Sequence, residues 1–444
     1  MRAQPVQPDI EKLLADEMAR NQPPKRLPPL AAMKRQFQAF GGDRYQLTIP
    51  EIGVTLEIDR LRRESHELWG ELSVRCELPG ARSVDGKGML SIADMNLSSA
   101  RARLDRAKML GARANTGNQL DWAGLIEEFC QCVLQADRYG QPSVDLRTVE
   151  RPNSADAMIE VASLVIPKRH PTILFGDGGS VKSYLALYIA GLLAEREMRV
   201  ALFDWELDDG DHRDRLERLF PDGMPYIEYA RCERSLVHEA DRLRRIVRDK
   251  QIDFSMFDSI GYACDGPPES AEVAGRYFRA VRQIGGGSLH VAHVTKGEFG
   301  DQKPFGSVFW HNSARCTWYA QAADEIPDGS IKRLGLFNRK ANLGALRQPV
   351  GFTVTFTKDQ TIFRRSDVAG NPDLAAKLTV AQRVTHLLHH GAMTVMTIAE
   401  ELDVDVNTVT QTVNRYLKKS QLFIILDGKD TQRRIGLLER DGLS

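Results

Sequence analysis

The chain has 444 residues, with 60 Lys and Arg balancing 60 Asp and Glu, so its formal net charge is zero and its pI lies near 7.2. That balance excludes a uniformly basic nucleic-acid coat, and the length suggests two to three domains of ordinary globular composition. No apolar run approaches the roughly 20 residues that span a bilayer. The opening MRAQPVQPDIEKLLADEMAR has no apolar signal-peptide core, so a cytosolic chain with no membrane partner is expected. Of Cys76, Cys130, Cys132, Cys232, Cys264 and Cys316 only Cys130 and Cys132 lie close together, without a second pair or a nearby His, which reads as six reduced cysteines.

Residues 1–35 mix Pro, Gln and charge and read as a mobile arm. Residues 36–150 read as an α+β module: YQLTIPEIGVTLEIDRL and HELWGELSVRCEL alternate apolar and polar positions as an antiparallel sheet does. From Ser91 to about Arg138 the spacing becomes helical. Arg60, Arg62 and Arg63 follow the strand VTLEID as a charge run, the kind that is usually solvated. The module carries no recognisable chemistry and suits oligomerisation or partner binding. After the linker PSVDLRTVERPNSADA, residues 151–366 alternate β-rich runs (TILF, VALFDW, FSMFD, LHVAHV) with amphipathic helices, the pattern of an α/β fold with a parallel sheet and helical crossovers. Residues 367–444 add three short helices and a hairpin.

The most informative segment is Gly176-Asp177-Gly178-Gly179-Ser180-Val181-Lys182-Ser183, directly after the strand Thr172–Phe175 and directly before the helical run YLALYIAGLLAE. Strand, Gly-rich loop, Lys-Ser and helix are the context of a phosphate-binding loop. Glycines let successive N–H groups face phosphates, and the helix N-terminus adds its positive dipole end. Lys182 is then expected to reach the β- and γ-phosphates of ATP, and Ser183 to take one position on Mg²⁺. Val181 stands where the pattern has its last Gly, so a loop that binds nucleotide with slow or absent turnover stays open as an alternative.

Hydrolysis needs a metal-positioning Asp and a residue that activates water. The strand Phe254–Phe257 ends in Asp258, expected beside the loop because ligands of open α/β sheets bind at the C-terminal strand ends. Asp258 and Ser183 form the expected metal pair. The strand Val200–Trp205 runs into Glu206, the candidate base, whereas Asp204 sits one step back inside the strand. A fourth strand ends in His293, placed to report on the γ-phosphate.

The motifs GDGGSVKSYLAL, VALFDWELDDGDHRDRLERL, FSMFDS and VAHVTK together resemble the RecA-like ATPase core, more narrowly the DnaB and RepA hexameric replicative helicases and related phage and plasmid ATPases. The resemblance covers roughly residues 159–356. It implies a catalytic role for Glu206 and an active site built between subunits of a ring. It also implies that Arg339 and Lys340, after the strand Leu334–Asn338, reach a neighbour's γ-phosphate; exposed hairpin charges are the alternative. Between residues 296 and 318 that family carries loops facing the central channel, which offers Lys303 and Arg315 as contacts to a nucleic-acid backbone or to a neighbouring subunit.

The C-terminal segment resembles a winged helix-turn-helix, with Asn407–Lys419 as recognition helix and 423–437 as wing. Thr408, Gln411, Arg415, Lys418 and Lys419 are its candidate nucleic-acid contacts. From Thr379 onward the chain holds eight basic and eight acidic residues, so protein docking stays open beside DNA binding. The expectation is an ATP- and Mg²⁺-dependent nucleic-acid motor, a hexameric helicase or helicase-like ATPase of a mobile element. Single-stranded DNA is expected in the ring and duplex DNA at the winged helix. The alternative is a DNA-binding regulator switched by ATP.

Overall fold

The computed structural model describes residues 33–40, 44–78, 80–114, 120–140, 143–150, 157–294, 308–324, 328–344, 346–368, 371–375, 378–419, 422–429 and 432–438. The expected arm before residue 33, Lys303, and the side chains of Lys418 and Lys419 lie outside them. The chain forms two compact units, residues 1–150 and 151–444.

In the first unit, β1 (Gln36–Ala39), β2 (Tyr45–Ile49), β3 (Val54–Glu64), β4 (Glu67–Cys76) and β5 (Met89–Asn96) form an antiparallel sheet in chain order. Alternation sends Leu47, Ile49, Leu56 and Val74 to one buried face. That face is covered by the helices Ala100–Arg113 and Trp122–Tyr139. The second helix buries Trp122, Leu125, Ile126, Phe129 and Val133, a stripe at helical spacing. The helical reading from Ser91 is corrected: Ser91 to Asn96 pair with β4, and the helix starts only where the Ser99 hydroxyl accepts from Ala102 N–H. Arg60, Arg62 and Arg63 each face a carboxylate, Glu71 at 3.2 Å, Glu64 at 2.7 Å together with Asp94, and Asp137.

The second unit opens with a hairpin of β6 (Met158–Val161) and β7 (Leu164–Pro167). Its nine-stranded sheet contains β8 (Pro171–Gly176), β9 (Val200–Asp204), β10 (Ile227–Arg231), β11 (Phe254–Asp258), β12 (Gly287–His293), β13 (Cys316–Asp324), β14 (Ile331–Ala341), β15 (Val350–Phe356) and β16 (Thr361–Ser366). The order across the sheet is β10-β9-β11-β12-β8-β13-β14-β15-β16. Strands β10 to β13 of that order are mutually parallel, whereas β14, β15 and β16 are antiparallel, which corrects the expectation of a parallel sheet through residue 364. The chain between these last strands is too short for a crossover helix, so it can only turn back.

Helices Lys182–Ala194 and Asp209–Leu219 contribute to the core on one face of this sheet, and Leu236–Asp249 and Ala271–Ile284 to the core on the other. Close packing is visible at Gly191, where a Cβ would stand 2.2 Å from the Phe220 ring. Each fully buried Leu, Ile or Phe in these cores contributes about 1.5–3 kcal/mol. The C-terminal part has helices Val380–His389, Val395–Leu402 and Val406–Lys419 and a small sheet ordered β17-β19-β18, from Met393–Thr394, Arg434–Leu437 and Phe423–Asp427. Val384, Ile398, Leu402, Val409, Val413, Phe423 and Ile435 form its own core. Among the described residues no helix is long and apolar enough to cross a membrane.

Candidate functional site

Strand β8 is buried from Thr172 to Gly176 and delivers the loop 176–181 to the N-terminus of the helix Lys182–Ala194. Gly176 is required by space, since a Cβ there would stand 2.1 Å from the Ala320 carbonyl oxygen. Gly179 takes a φ of +75°, and Val181 takes a φ of 62° and a ψ of 17°. A β-branched residue in the left-handed region is costly, of order 1–3 kcal/mol, so the backbone here has the shape that glycine adopts cheaply. Inside the loop the Ser180 hydroxyl donates to Asp177 O at 2.7 Å. The Lys182 ammonium, only 5% exposed, donates to Asp177 O at 2.7 Å and to Ser180 Oγ at 3.1 Å. Burial lowers the pKa of Lys182 to about 8, against the opposing pull of Asp258, Asp177 and Glu206. The ammonium is thus held over the loop by two neutral acceptors, for which the oxygens of an anion are stronger replacements.

Asp258 closes β11, two strands from β8, with β12 between them. Burial raises its pKa to about 6, the nearby Glu206 and Asp204 charges add to this, and the Ser183 hydroxyl opposes it. Its Oδ1 is buried without a hydrogen-bond partner. An orphan carboxylate oxygen beside a serine hydroxyl fits a divalent cation that needs one more charge to balance. Among the described residues no three His, Cys, Asp or Glu side chains cluster as a metal cage. The donor set therefore suits Mg²⁺, which takes few protein ligands and completes its shell with phosphate oxygens and water.

Asp204 ends β9 in register with Asp258 of β11 and is fully buried. Its Oδ1 accepts from Glu206 N–H at 3.2 Å and its Oδ2 from Leu207 N–H at 2.8 Å, so it fastens the turn that carries Glu206. The Glu206 carboxylate receives the Ser259 hydroxyl at Oε1 and lies 3.9 Å from His293 Nε2, near enough for an ion pair and too far for a hydrogen bond. His293 and Ser259 hold the Glu206 pKa below its ordinary value, against its partial burial. The structure thus brings Lys182, Ser183, Glu206, Asp258 and His293 to one edge of the sheet. Ser259 is a member that sequence reasoning missed; its signal was its place directly after the β11 carboxylate.

Arg339 and Lys340, expected as a pair reaching a neighbouring subunit or, alternatively, as exposed hairpin charges, both lie within a strand rather than in a turn. Strand β14 continues through Ala341, and Lys340 pairs in register with Thr317, itself opposite Ile173 upstream of Gly176. Lys340 donates to His311 O at 2.7 Å and Asn312 O at 2.8 Å, the end of the helix Val308–Ser313. Arg339 stacks at 5.6 Å on Tyr319 and 5.5 Å on Phe337, and its Nε is buried without a hydrogen-bond partner. Tyr319 in turn reaches Asp177 Oδ2 at 3.5 Å. Arg315 is exposed at the start of β13. Thr408, Gln411 and Arg415 share one exposed face of the helix Val406–Lys419, whose first turn is capped by Asp405 through Asn407 and Thr408 N–H.

No family model and no curated protein matches the chain. Among solved structures it is similar to one described as an ATPase domain, at 12% identity and a TM-score of 0.38, over 45% of this chain and 85% of that one.

Proposed function

We propose that this chain is an ATP- and Mg²⁺-dependent motor of the RecA-like class, acting on nucleic acid as a ring of identical subunits, with a C-terminal winged helix-turn-helix. One observation carries the reading. An ammonium, a hydroxyl, two carboxylates and an imidazole, from four separate strand ends, meet beside a Gly-rich loop at a helix N-terminus.

In this reading Lys182 exchanges the Asp177 carbonyl and the Ser180 hydroxyl for oxygens of the β- and γ-phosphates, while loop N–H groups and the helix dipole hold the rest. Ser183 and Asp258 would hold Mg²⁺, whose charge neutralises the phosphates as the bond breaks. With Ser259 on Glu206 Oε1, Oε2 is the oxygen left to orient the attacking water and take its proton. His293, beside Glu206, links that carboxylate to the state of the γ-phosphate. Lys340 must leave two carbonyls before it can serve a neighbouring subunit, so of the proposed trans pair Arg339 is the readier member. The face with Thr408, Gln411 and Arg415 is the proposed DNA surface of the winged helix, and the ring encloses single-stranded DNA.

A second reading rests on Val181: a strained loop that binds ATP without turning it over makes the protein an ATP-switched DNA-binding regulator. Steady-state ATP hydrolysis with Mg²⁺, with and without single-stranded DNA at fixed salt, separates the two, with molar mass by light scattering in parallel. Turnover that DNA raises, together with nucleotide-dependent rings, supports the motor. Binding without turnover, restored by Val181→Gly, supports the regulator. Absence of ATP binding overturns both.

A further inference from the structure

The helix Val380–His389 starts at a capping box of Thr379 and Gln382 and buries Ala381, Val384 and Leu388. His386 stands two positions after Val384 and His390 two after Leu388, about 200° around the helix, so both fall on the side turned away from that core. His390 caps the helix in the right-handed region, at φ −85° and ψ −6°, and so keeps the helical phase. Side chains four apart on a helix are neighbours, and two His at this spacing on one helix face can share a zinc ion. The two rings stand 5.2 Å apart between centroids, at 84° to each other. Two imidazoles bonded at about 2.0–2.1 Å to one tetrahedral Zn²⁺ have their ring centres about 5 Å apart. The pair therefore already has the separation that an ion between them requires.

Asp367, directly after β16, places its Oδ2 3.3 Å from His386 Nδ1. An ionised carboxylate only accepts, so the ring proton belongs on Nδ1 and the lone pair of Nε2 is left for a ligand, the arrangement that orients metal-binding histidines. The His386 side chain is 31% exposed and His390 is exposed, so solvent reaches both. His386 and Asp367 line a wide groove between this helix and the end of the core sheet. The rings also stand at the C-terminus of the helix, whose negative dipole end favours a cation. Arg365, which shares the groove, donates to Gly351 O at 3.3 Å and lies over the Phe352 ring.

We propose that His386 and His390 form a two-imidazole site for a divalent transition-metal ion of the Zn²⁺ class, with water completing its shell. Among the described residues no third His, Cys, Asp or Glu completes the set. The site thus selects by affinity for imidazole, taking Zn²⁺, Ni²⁺ or Cu²⁺ and passing over Mg²⁺ and Ca²⁺. An ion on Nε2 makes Nδ1–H a stronger donor, and by linkage the Asp367 contact and the metal strengthen each other. His386 belongs to the first long helix of the C-terminal part and Asp367 follows the last strand of the core sheet, so the bound ion fastens one to the other. The site is independent of the ATPase reading.

The test uses the full-length chain with ZnCl₂ as the probe, in excess Mg²⁺ so that sites built from hard oxygen ligands are filled. Calorimetry should show one Zn²⁺ bound saturably per chain. His390→Ala, at an exposed position, and His386→Ala should each weaken that binding at least about tenfold, as loss of one of two ligands requires. Asp367→Asn should weaken it about tenfold, the usual cost of losing an orienting carboxylate. Absence of saturable uptake by the wild type, or unaltered uptake by His390→Ala, overturns the site. Amide hydrogen exchange reads the fastening: Zn²⁺ should slow it in the wild type both in the helix Val380–His389 and in β16, and in Asp367→Asn in the helix alone. Slowing confined to the helix in the wild type, or Zn²⁺ affinity unchanged in Asp367→Asn, overturns the fastening.

Discussion

The parallel and antiparallel parts of the nine-stranded sheet both carry ionisable side chains, and they use them in opposite ways. In the parallel part each strand ends at the same edge, so Gly176, Asp204, Asp258 and His293 arrive together and the helix after β8 starts there. Spare capacity is left there, as the unpartnered Asp258 Oδ1 shows. In the antiparallel part successive strands end at alternate edges. Lys340 and Arg339 there lie at the end of β14, with Lys340 opposite Thr317, where one holds helix carbonyls and the other lies on aromatic rings. Strand direction, more than residue type, decides which ionisable groups meet beside the loop.

The largest effect expected to test this contrast is on the parallel side. Asp258→Asn should lower ATP turnover by about a thousandfold, equivalent to the several kcal/mol that metal positioning supplies, with the fold kept as judged by circular dichroism. The kcat/KM profile of the wild type should fall below about pH 6, where Asp258 takes up a proton and loses its hold on Mg²⁺. It should fall again above about pH 8, where Lys182 loses its charge. In the bound complex phosphate favours the charged Lys182 and Mg²⁺ favours the ionised Asp258, so the kcat profile should be broader at both ends.

Asp204→Asn sharpens the comparison within the parallel part. It keeps the shape but weakens the hold on Glu206 N–H and Leu207 N–H, so kcat should fall about 10- to 100-fold with KM nearly unchanged, as expected for a displaced base. On the antiparallel side Lys340→Met should cost about 1.5–3 kcal/mol of stability in denaturant unfolding, the worth of charged hydrogen bonds to two carbonyls, while nucleotide binding by a single subunit is unaltered. The smallest effect is at Val181: Val181→Gly should raise stability by about 1 kcal/mol, the left-handed strain relieved less the entropy that glycine adds to the unfolded chain.

Much of the parallel part was legible in the sequence, because buried parallel strands read as unbroken apolar runs with a polar residue at the end, as FSMFD and VALFD do. Strand β10, IEYAR, was not, since an edge strand is half-exposed and keeps its charges. Strands β14 to β16 were only partly read, for nothing local in RLGLFNRKA says which way its neighbours run. β5 passed for the start of a helix because its pairing with β4 overrides a short mixed pattern. Within the site the loop, Asp258 and Glu206 announce themselves by their place at strand ends. The work of Asp204 and Ser259 does not, because it depends on the register of β9 against β11 and on the contact of Ser259 with Glu206.

The central claim is that Glu206 activates water for a nucleotide held by Lys182 and Ser183. Single-turnover hydrolysis of ATP by the wild type and Glu206→Gln, with ATP affinity measured on both, tests it most directly. The account predicts affinities within about threefold of each other and a loss of about 10²–10⁴ in the hydrolytic rate of the variant. A variant that hydrolyses ATP as fast as the wild type would contradict it.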